Sequence, residues 1–297
     1  MAFNSPIPAD CSVTGQGRIS ALLKNEYRSR LISRGVLNPG ELLACSIAVG
    51  HARFTGRGSL ASLPLDENGG RRVVVKQCLR GGLIRHVSSD LFCRGNRPFD
   101  EMLANRTIID RGVKTTEIIA AIKERVFGPF YRAYLFSLEL PGCIDLAAYL
   151  NLLQGKSREQ RFRAKAGIFE ALARAFSAMH RNGIYHRDLH LKNVLLRDAA
   201  PHRAPELFII DFDRAVVKPT LRPVEKLNNL MRFNRSIEKF RVFSGGAVTR
   251  GDQMRLCRAY LAENEDASRL MPRALRRYRA MTRLRMIKWG FRTRSRY

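Results

Sequence analysis

Twelve consecutive residues in the second half of the chain combine a carboxylate and an amide at a spacing that suits phosphoryl transfer. The segment from Tyr185 to Leu196 reads YHRDLHLKNVLL and matches the pattern H-R-D-L-x-x-x-N, and Asp211 follows Asn193 by 18 positions. Phosphoryl transfer needs a carboxylate that receives the proton of the acceptor hydroxyl, and oxygen ligands for the Mg²⁺ that neutralises the phosphates. We therefore predict that Asp188 is the general base and that Asn193 and Asp211 bind Mg²⁺.

Residues upstream of this segment are candidates for holding a nucleotide. Lys76 ends the run VVVK and stands where a strand lysine would bind the α- and β-phosphates of ATP, and Glu101 is the best candidate for its ion-pair partner. Gly56 and Gly58 form a G-x-G, which either lets backbone N–H groups approach phosphate oxygens or simply turns a hairpin. We predict that these four residues bind ATP.

The residues after Asp211 argue against a protein acceptor. Asp213 stands where protein kinases have the glycine of D-F-G, which favours a fixed loop and adds a carboxylate near the metal. The stretch from Arg214 to Pro223 contains no A-P-E, the element that closes a platform for protein substrates.

The apolar patterns predict the elements that position these residues. Strands are predicted at Ala44–Val49, Arg72–Val75, Tyr131–Leu140, Val194–Leu196 and Leu207–Ile210, and helices at Phe99–Asp110 and from the Ser157/Gln160 capping box to Asn182. Residues 1–43, with an amphipathic stretch from Leu22 to Ile32, are predicted to form an N-terminal helical extension. Residues 44–140 form one lobe and residues 141–266 a second, mainly helical lobe, followed by a basic amphipathic segment at 267–297.

The charge balance excludes an ordinary neutral enzyme surface. Lys and Arg number 53 against 26 Asp and Glu, which gives the 297 residues a formal net charge of +27. Nucleic acid, an anionic membrane or a negatively charged substrate would suit this excess, and so would a merely solvated surface, because Arg outnumbers Lys by 42 to 11. The phosphoryl-transfer residues favour ATP and an anionic acceptor over nucleic acid.

The remaining composition fits an intracellular protein. Six scattered cysteines without a C-x-x-C pair argue against a disulfide framework and a zinc site. The N-terminus lacks the pattern of a cleaved signal, and no apolar run is long enough to span a bilayer.

From about Ala44 to Phe240 the sequence resembles the lipopolysaccharide-core kinases, the family of Kdo and heptose kinases. The resemblance rests on four segments: LRGGLI at 79–84, YHRDLH at 185–190, DFDR at 211–214 and NLMRFNRSIEK at 229–239. It implies an α+β, bilobal protein-kinase-like fold, with an antiparallel sheet plus one helix in the N-lobe and a mainly helical C-lobe. It also implies ATP- and Mg²⁺-dependent phosphorylation of a sugar hydroxyl on a lipid-anchored glycan, at the cytoplasmic face of the inner membrane. The acceptor, Kdo or heptose, stays open, as does the oligomeric state.

The composition of the C-terminal segment bears on whether the protein contacts a membrane. From Ala267 to Tyr297 it has no acidic residue and eleven basic ones, interleaved with apolar residues that include Trp289 and Phe291. Such a segment suits an anionic lipid surface, or a final helix packed on the second lobe with a solvated arginine face. We predict some membrane contact.

Three other functions compete with this interpretation. His190, two residues after Asp188, also occurs in aminoglycoside-type phosphotransferases, which act on soluble small molecules. A protein kinase is a further alternative. A nucleic-acid-binding protein on a kinase-like scaffold is disfavoured because Lys76, Asp188, Asn193 and Asp211 are all present.

Overall fold

The computed structural model describes residues 6–48, 52–55, 58–66, 69–79, 90–197, 205–244, 247–273 and 275–276. The chain divides into two compact units. The first comprises Met1–Ile109 and Thr116–Pro141, and the second comprises Asp110–Thr115 and Gly142–Tyr297. Across the described ranges, no helix combines the length and the apolar composition that crossing a membrane requires.

The first unit is built on an antiparallel sheet. Its described strands are β1 (Cys11–Gln16), β2 (Ile19–Lys24), β3 (Ala52–Thr55), β4 (Gly58–Pro64), β5 (Arg72–Gln77), β6 (Phe92–Cys93), β7 (Ile118–Phe127) and β8 (Phe130–Leu138). They lie in the order β1-β2-β7-β8-β5-β4-β3, and β6 also pairs with β8. The strands alternate direction because hairpins join neighbours such as β7 and β8.

Helices cover both faces of this sheet. On one face, Phe99 and Met102 of α3 (Arg97–Asp110) pack into an apolar cluster with sheet residues. On the other, Leu31 of α1 (Arg28–Ser33) and Leu43 of α2 (Pro39–Ala48) pack into a second cluster. The sheet therefore buries apolar side chains on both sides.

The N-terminal helical extension predicted for residues 1–43 is wrong for Cys11–Lys24, which forms β1 and β2. β2 lies between β1 and β7, with Leu22 and Leu23 both fully buried, Leu22 in the cluster with α3 and Leu23 in the opposite one. A strand buried on both faces shows a continuous apolar run instead of alternation, and such a run is easily taken for part of a helix. Helix does occur further along, in α1 and α2.

The strand predicted at Ala44–Val49 is also wrong, because Ala44–Ala48 belongs to α2; Val49 lies outside the described residues. α2 begins at Pro39, whose fixed φ suits a first helical turn, and the Leu42 N–H donates to the Asn38 carbonyl at 3.1 Å. The strand at Arg72–Val75, the helix at Phe99–Asp110 and the strand at Tyr131–Leu140 are present as β5, α3 and β8, and no end is shifted by more than two residues.

The second unit is mainly helical. Its helices are α4 (Leu146–Leu152), α5 (Arg158–Arg181), α6 (Pro223–Phe243), α7 (Arg250–Ala262) and α8 (Glu265–Ser268). Short strands connect them: β9 (Cys143–Asp145), β10 (Ile184–Tyr185), β11 (Val194–Arg197), β12 (Glu206–Ile209) and β13 (Val216–Val217). β11 lies between β12 and β9, and β10 pairs with β13. A short 3-10 turn, Leu191–Asn193, precedes β11.

Local sequence fixes the ends of the long helix that leads to the segment Tyr185–Asn193, the candidate catalytic segment. Ser157 caps α5 by accepting from the Gln160 N–H, and the Gln160 side chain reaches back to the Ser157 N–H, as the capping box predicts. After α5, Gly183 has a φ of +71°, and a Cβ there would lie 1.9 Å from the Lys218 carbonyl oxygen. Glycine is therefore required where α5 gives way to β10.

Candidate active site

A polar cavity of about 880 Å³ opens in the second unit beside the segment Tyr185–Asn193. Its lining residues come from that segment, the Asp211–Arg214 turn, β13 and α6: Tyr185, Arg187, Asp188, Asp211, Asp213, Arg214, Val216, Lys218, Glu225, Asn228 and Arg232. Two of the three residues predicted to perform phosphoryl transfer, Asp188 and Asp211, therefore line one cavity.

Asp188 lies at the cavity wall between two basic side chains. The His190 Nε2 lies 3.5 Å from its Oδ2, and the Arg232 Nη2 donates to its Oδ1 at 3.0 Å. Hydrogen bonds from His190 and Arg232, together with their charges, hold the pKa of the Asp188 carboxyl well below its usual range. The low pKa keeps the carboxyl ionised. Because the side chain is 57% exposed, the carboxylate can also be reached from solvent.

The backbone around Asp188 is fixed by the fully buried ring of His186. The Asp188 N–H donates to the His186 Nδ1 at 3.0 Å, and the His186 Nε2 lies 3.0 Å from the Ile210 carbonyl oxygen. A backbone N–H can only donate, so Nδ1 carries the lone pair and Nε2–H donates to Ile210. Burial lowers the pKa of His186, which keeps the ring neutral in this tautomer. His186 thus ties Asp188 to the residue before Asp211.

Asn229 of α6 holds the backbone of His186 at both of its polar groups. The Asn229 Nδ2 donates to the His186 carbonyl at 2.6 Å, and its Oδ1 accepts from the His186 N–H at 3.1 Å. Asn229 is fully buried. The side chain therefore substitutes for a pairing strand and anchors the catalytic segment to α6.

A second buried histidine extends this network into α5 and α7. The His180 Nε2 lies 3.1 Å from the Asn229 Oδ1, and its Nδ1 lies 2.6 Å from the Tyr260 hydroxyl. The Asn229 oxygen can only accept, so His180 donates from Nε2 and accepts the Tyr260 O–H at Nδ1. Burial lowers the pKa of His180 to about 4. Hydrogen bonds through the His180 ring thus join α5, α6 and α7, and the donor of each bond is known.

Asn193 is oriented by Asp188 itself. Its Nδ2 donates to the Asp188 carbonyl at 2.9 Å, and its own carbonyl accepts from the Ile210 N–H at 2.9 Å. The side chain is buried, with 6% of the residue exposed. Because the amide nitrogen is used within the loop, the amide oxygen is the atom left to bind a cation.

The Asp211–Arg214 turn has a backbone that few residues adopt. Asp211 has a φ of +62° and Arg214 a φ of +56°, both in the left-handed region. The Ala215 N–H donates to the Phe212 carbonyl at 2.9 Å, which closes a four-residue turn with Arg214 at its third position. The Phe212 ring packs on His186 with centroids 4.7 Å apart. The turn is thus fixed from within and against the catalytic segment.

The predicted nucleotide-binding residues belong to the first unit. Lys76 lies in β5 opposite Leu60 of β4 and Leu135 of β8, and Glu101 lies in the first half of α3. Gly58 begins β4 opposite Thr55. Gly56 and residues 80–84 lie outside the described residues. Asp188, Asn193 and Asp211 belong to the second unit.

Sequence reasoning assigned no role to Arg232 and Asn229. Both stand in the segment NLMRFNRSIEK, three positions apart, which places them on one face of α6. That spacing was visible in the sequence. What was not visible is that this face meets the catalytic segment.

A family model described as the lipopolysaccharide kinase (Kdo/WaaP) family matches residues 55–260. This chain belongs to that family. The match covers β4 to α7 and so includes Lys76, the catalytic segment and the Asp211–Arg214 turn.

Individual relatives agree with the family model. The chain is 33% identical over 192 residues to a 3-deoxy-D-manno-octulosonic acid kinase of Xylella fastidiosa (strain M23), which covers 63% of this chain and 70% of the relative. It is 29% identical over 235 residues to the enzyme of that name from Vibrio vulnificus (strain YJ016), covering 77% and 88%. A solved structure of WaaP in complex with acyl carrier protein aligns with a TM-score of 0.55 at 20% identity, covering 84% of this chain and 95% of that one.

These comparisons confirm three predictions: the lipopolysaccharide-core kinase family, the α+β kinase-like fold, and the enzyme class, an ATP-dependent phosphotransferase that acts on a sugar. The chain is therefore a lipopolysaccharide kinase in family and in fold.

Proposed function

We propose that this protein transfers the γ-phosphate of ATP to a hydroxyl of 3-deoxy-D-manno-octulosonic acid (Kdo) in the lipopolysaccharide inner core. The observation that supports Kdo over heptose is the name shared by the curated relatives, which the chain matches over 70 to 88% of their length. The cavity beside Asp188 suits this acceptor because it is open and lined by charged and amide side chains, as a hydroxyl-rich substrate requires.

Asp188 acts as the general base in this proposal. Its carboxyl is ionised and 57% exposed on the cavity, so an acceptor hydroxyl within hydrogen-bond reach would transfer its proton to an Asp188 oxygen. Arg232 and His190 orient the carboxylate. In phosphoryl transfer most of the catalysis is positioning and charge stabilisation, so a firmly oriented carboxylate is more valuable than a strongly basic one.

Asn193 and Asp211 are proposed to hold Mg²⁺, which would neutralise charge on the phosphates. The Asn193 amide is turned so that its oxygen is available, and Asp211 supplies a carboxylate on the same cavity wall as Asp188. Among the described residues no cluster of three or more His, Cys, Asp or Glu is placed to hold a metal. Mg²⁺ usually takes one or two protein carboxylates and completes its shell with waters and substrate phosphates.

Lys76, Glu101, Gly56 and Gly58 are proposed to position ATP. Lys76 lies in a central strand of the first unit and offers an ammonium group to phosphate oxygens, while Glu101 supplies its counter-charge from α3. Gly58 begins β4 opposite Thr55, and we propose that backbone N–H groups at Gly56 and Gly58 bind phosphate oxygens.

We further propose that the protein works at the cytoplasmic face of the inner membrane, where its lipid-linked acceptor lies. Support comes from the net charge of +27 and from the eleven basic residues of the acid-free segment 267–297. Ala267 and Met271, at the start of this segment, are buried in the second unit; Trp289 and Phe291 lie outside the described residues.

Radiolabelled ATP with Mg²⁺ tests the acceptor directly. The purified protein is offered lipid A bearing Kdo, heptosylated core, an aminoglycoside and a generic protein in parallel, and we expect label on the Kdo-bearing lipid. Mild acid hydrolysis, which releases Kdo, should release the label with it. Transfer to the aminoglycoside or the protein without transfer to glycolipid would contradict the proposal, and label confined to heptose would correct the acceptor.

A further inference from the structure

The cavity beside Asp188 has four basic and four acidic lining residues, but their charges are not all paired with each other. Arg232 is bound to Asp188 at 3.0 Å, and Lys218 to Glu225 at 2.5 Å. Both pairs lie on the side of the cavity formed with α6. Among the basic lining residues, Arg187 and Arg214 belong to neither pair.

Arg187 and Arg214 have guanidinium groups available to a ligand. Both residues are exposed and line the cavity, and in the described part of the chain neither has a hydrogen-bond or ion-pair partner. Both guanidinium groups are therefore available to an anionic ligand in this cavity.

Arg214 occupies a backbone position that glycine or asparagine would fill at lower cost. It is the third residue of the Phe212–Ala215 turn with a φ of +56°, where a Cβ is strained. The side chain is exposed, so packing does not explain the arginine. Strain of this kind is common where the side chain itself serves the site.

We propose that Arg187 and Arg214 form a binding subsite for the carboxylate of the acceptor sugar. This inference rests on the proposed function, because Kdo is a sugar acid whereas heptose has no carboxylate. The acceptor must place a hydroxyl at Asp188, and Arg187 is the residue next to it in the chain. Two guanidinium groups on the same cavity bind a carboxylate through several charge-assisted hydrogen bonds. The subsite therefore selects sugar acids over neutral sugars.

The subsite is tested with two acceptors that differ at one group: a Kdo glycoside of lipid A, and the same molecule with its carboxylate converted to a carboxamide. For the wild-type protein we expect a KM at least about 10-fold lower for the acid, the factor of one charge-assisted hydrogen bond. In Arg187→Gln and Arg214→Gln the KM values for the two acceptors should become equal, while the KM for ATP stays unchanged. Arg174→Gln, an exposed arginine of α5 outside the cavity, is the matched control and should keep the preference.

Arg214→Gly separates the subsite from folding. Glycine relieves the left-handed strain, so this variant should have an unchanged or higher melting temperature and still lose the preference for the acid. Equal KM values for both acceptors in the wild type would overturn the subsite and leave the kinase intact. A raised KM for ATP in the arginine variants would overturn it in favour of nucleotide binding. Transfer to neither acceptor would overturn the proposed function and the subsite with it.

Discussion

At the scale of single residues, the surroundings of Asp188 hold its carboxylate in one orientation and make it a weaker base. Arg232 and His190 stabilise its ionised form and lower its pKa, while its backbone N–H is bound by His186. Such a residue keeps its charge at any physiological pH, and its direction is set before a substrate binds. The sequence pattern predicted the residue, but not the two basic neighbours that hold it.

Replacing the carboxylate by an amide isolates its chemical role. We expect Asp188→Asn to lower kcat by a factor of about 10² to 10⁴, because an amide of the same shape cannot accept the acceptor proton. Binding of a fluorescent ATP analogue should be unchanged. Turnover close to that of the wild type would mean that another group acts as the base.

His180 makes stability depend on pH. Burial lowers its pKa to about 4 in the folded protein, against about 6.5 in an unfolded chain. The unfolded state therefore binds more protons between these values, so stability is complete above about pH 6.5 and falls as the pH drops towards 4. We expect this residue to cost about 2 kcal/mol of the free energy of unfolding between pH 7 and pH 5.

Urea unfolding at both pH values measures this cost. His180→Gln should be less stable than the wild type at pH 7, because the variant loses hydrogen bonds to Asn229 and Tyr260. Its stability should nevertheless fall less between pH 7 and pH 5. An equal fall in both proteins would rule out His180 as the group that titrates.

At the scale of elements, α6 supports the candidate active site. Asn229 binds the backbone of the catalytic segment, Arg232 binds Asp188, and the Ser236 hydroxyl accepts from the Leu191 N–H at 3.2 Å. These three residues recur every three to four positions, so one face of the helix meets the whole loop. Displacing α6 would therefore move Asp188, the proposed base.

Substitutions at two buried asparagines distinguish a residue that positions the candidate site from a residue that only stabilises the fold. Asn229→Ala leaves both polar groups of His186 and the His180 Nε2–H without a partner, and should destabilise by about 3 kcal/mol. Asn264→Ala removes bonds to Ser177 and Tyr260 and should cost about 2 kcal/mol.

The two variants should differ in activity. Per folded molecule, we expect kcat to fall at least about 10-fold in Asn229→Ala, since a misplacement of about 1 Å at the reacting groups can cost 100-fold. Asn264→Ala should keep the kcat of the wild type, because Asn264 binds the Ser177 hydroxyl and the Tyr260 carbonyl, and is linked to the segment Tyr185–Asn193 only indirectly, through Tyr260, His180 and Asn229. Equal activities, measured at a temperature where both variants are folded, would make Asn229 a merely structural residue.

The elements also show how far sequence reasoning reached. α5 and its capping box, β11 and β12 were predicted because their signals are local. β2 was missed because burial on both faces removes the alternation that marks a strand. β7 was missed for the same reason, because its first half is as buried as β2. Motif spacing predicts the candidate catalytic segment, whereas Asn229 contacts His186 across 43 positions of sequence, a distance no local pattern spans.

At the scale of the whole molecule, the charge of +27 is unevenly distributed along the chain. Between Ala267 and Tyr297 all eleven charged residues are basic, whereas several arginines elsewhere pair with acids, such as Arg72 with Glu139. Paired surface charges contribute little to long-range attraction, but a basic segment that contains no acidic residue is drawn to an anionic surface.

Removing residues 277–297 tests the membrane role and keeps the buried Ala267 and Met271. The deletion removes eight basic residues, and we expect it to abolish co-sedimentation with vesicles rich in phosphatidylglycerol. Phosphorylation of a soluble, deacylated acceptor should persist, which shows that the site is intact. Unchanged binding to anionic vesicles would refute the role of the segment.

The hydrogen bonds that close on His186 also determine how its backbone exchanges with solvent. Its N–H is held by Asn229, and the Asp188 N–H by the His186 ring, so neither amide is released unless the segment separates from α6. Deuterium should therefore enter these two amides slowly in the substrate-free protein, at a rate near that of global unfolding. The catalytic loop of this kinase is then part of its most persistent structure, and substrates bind to a surface that is already in place.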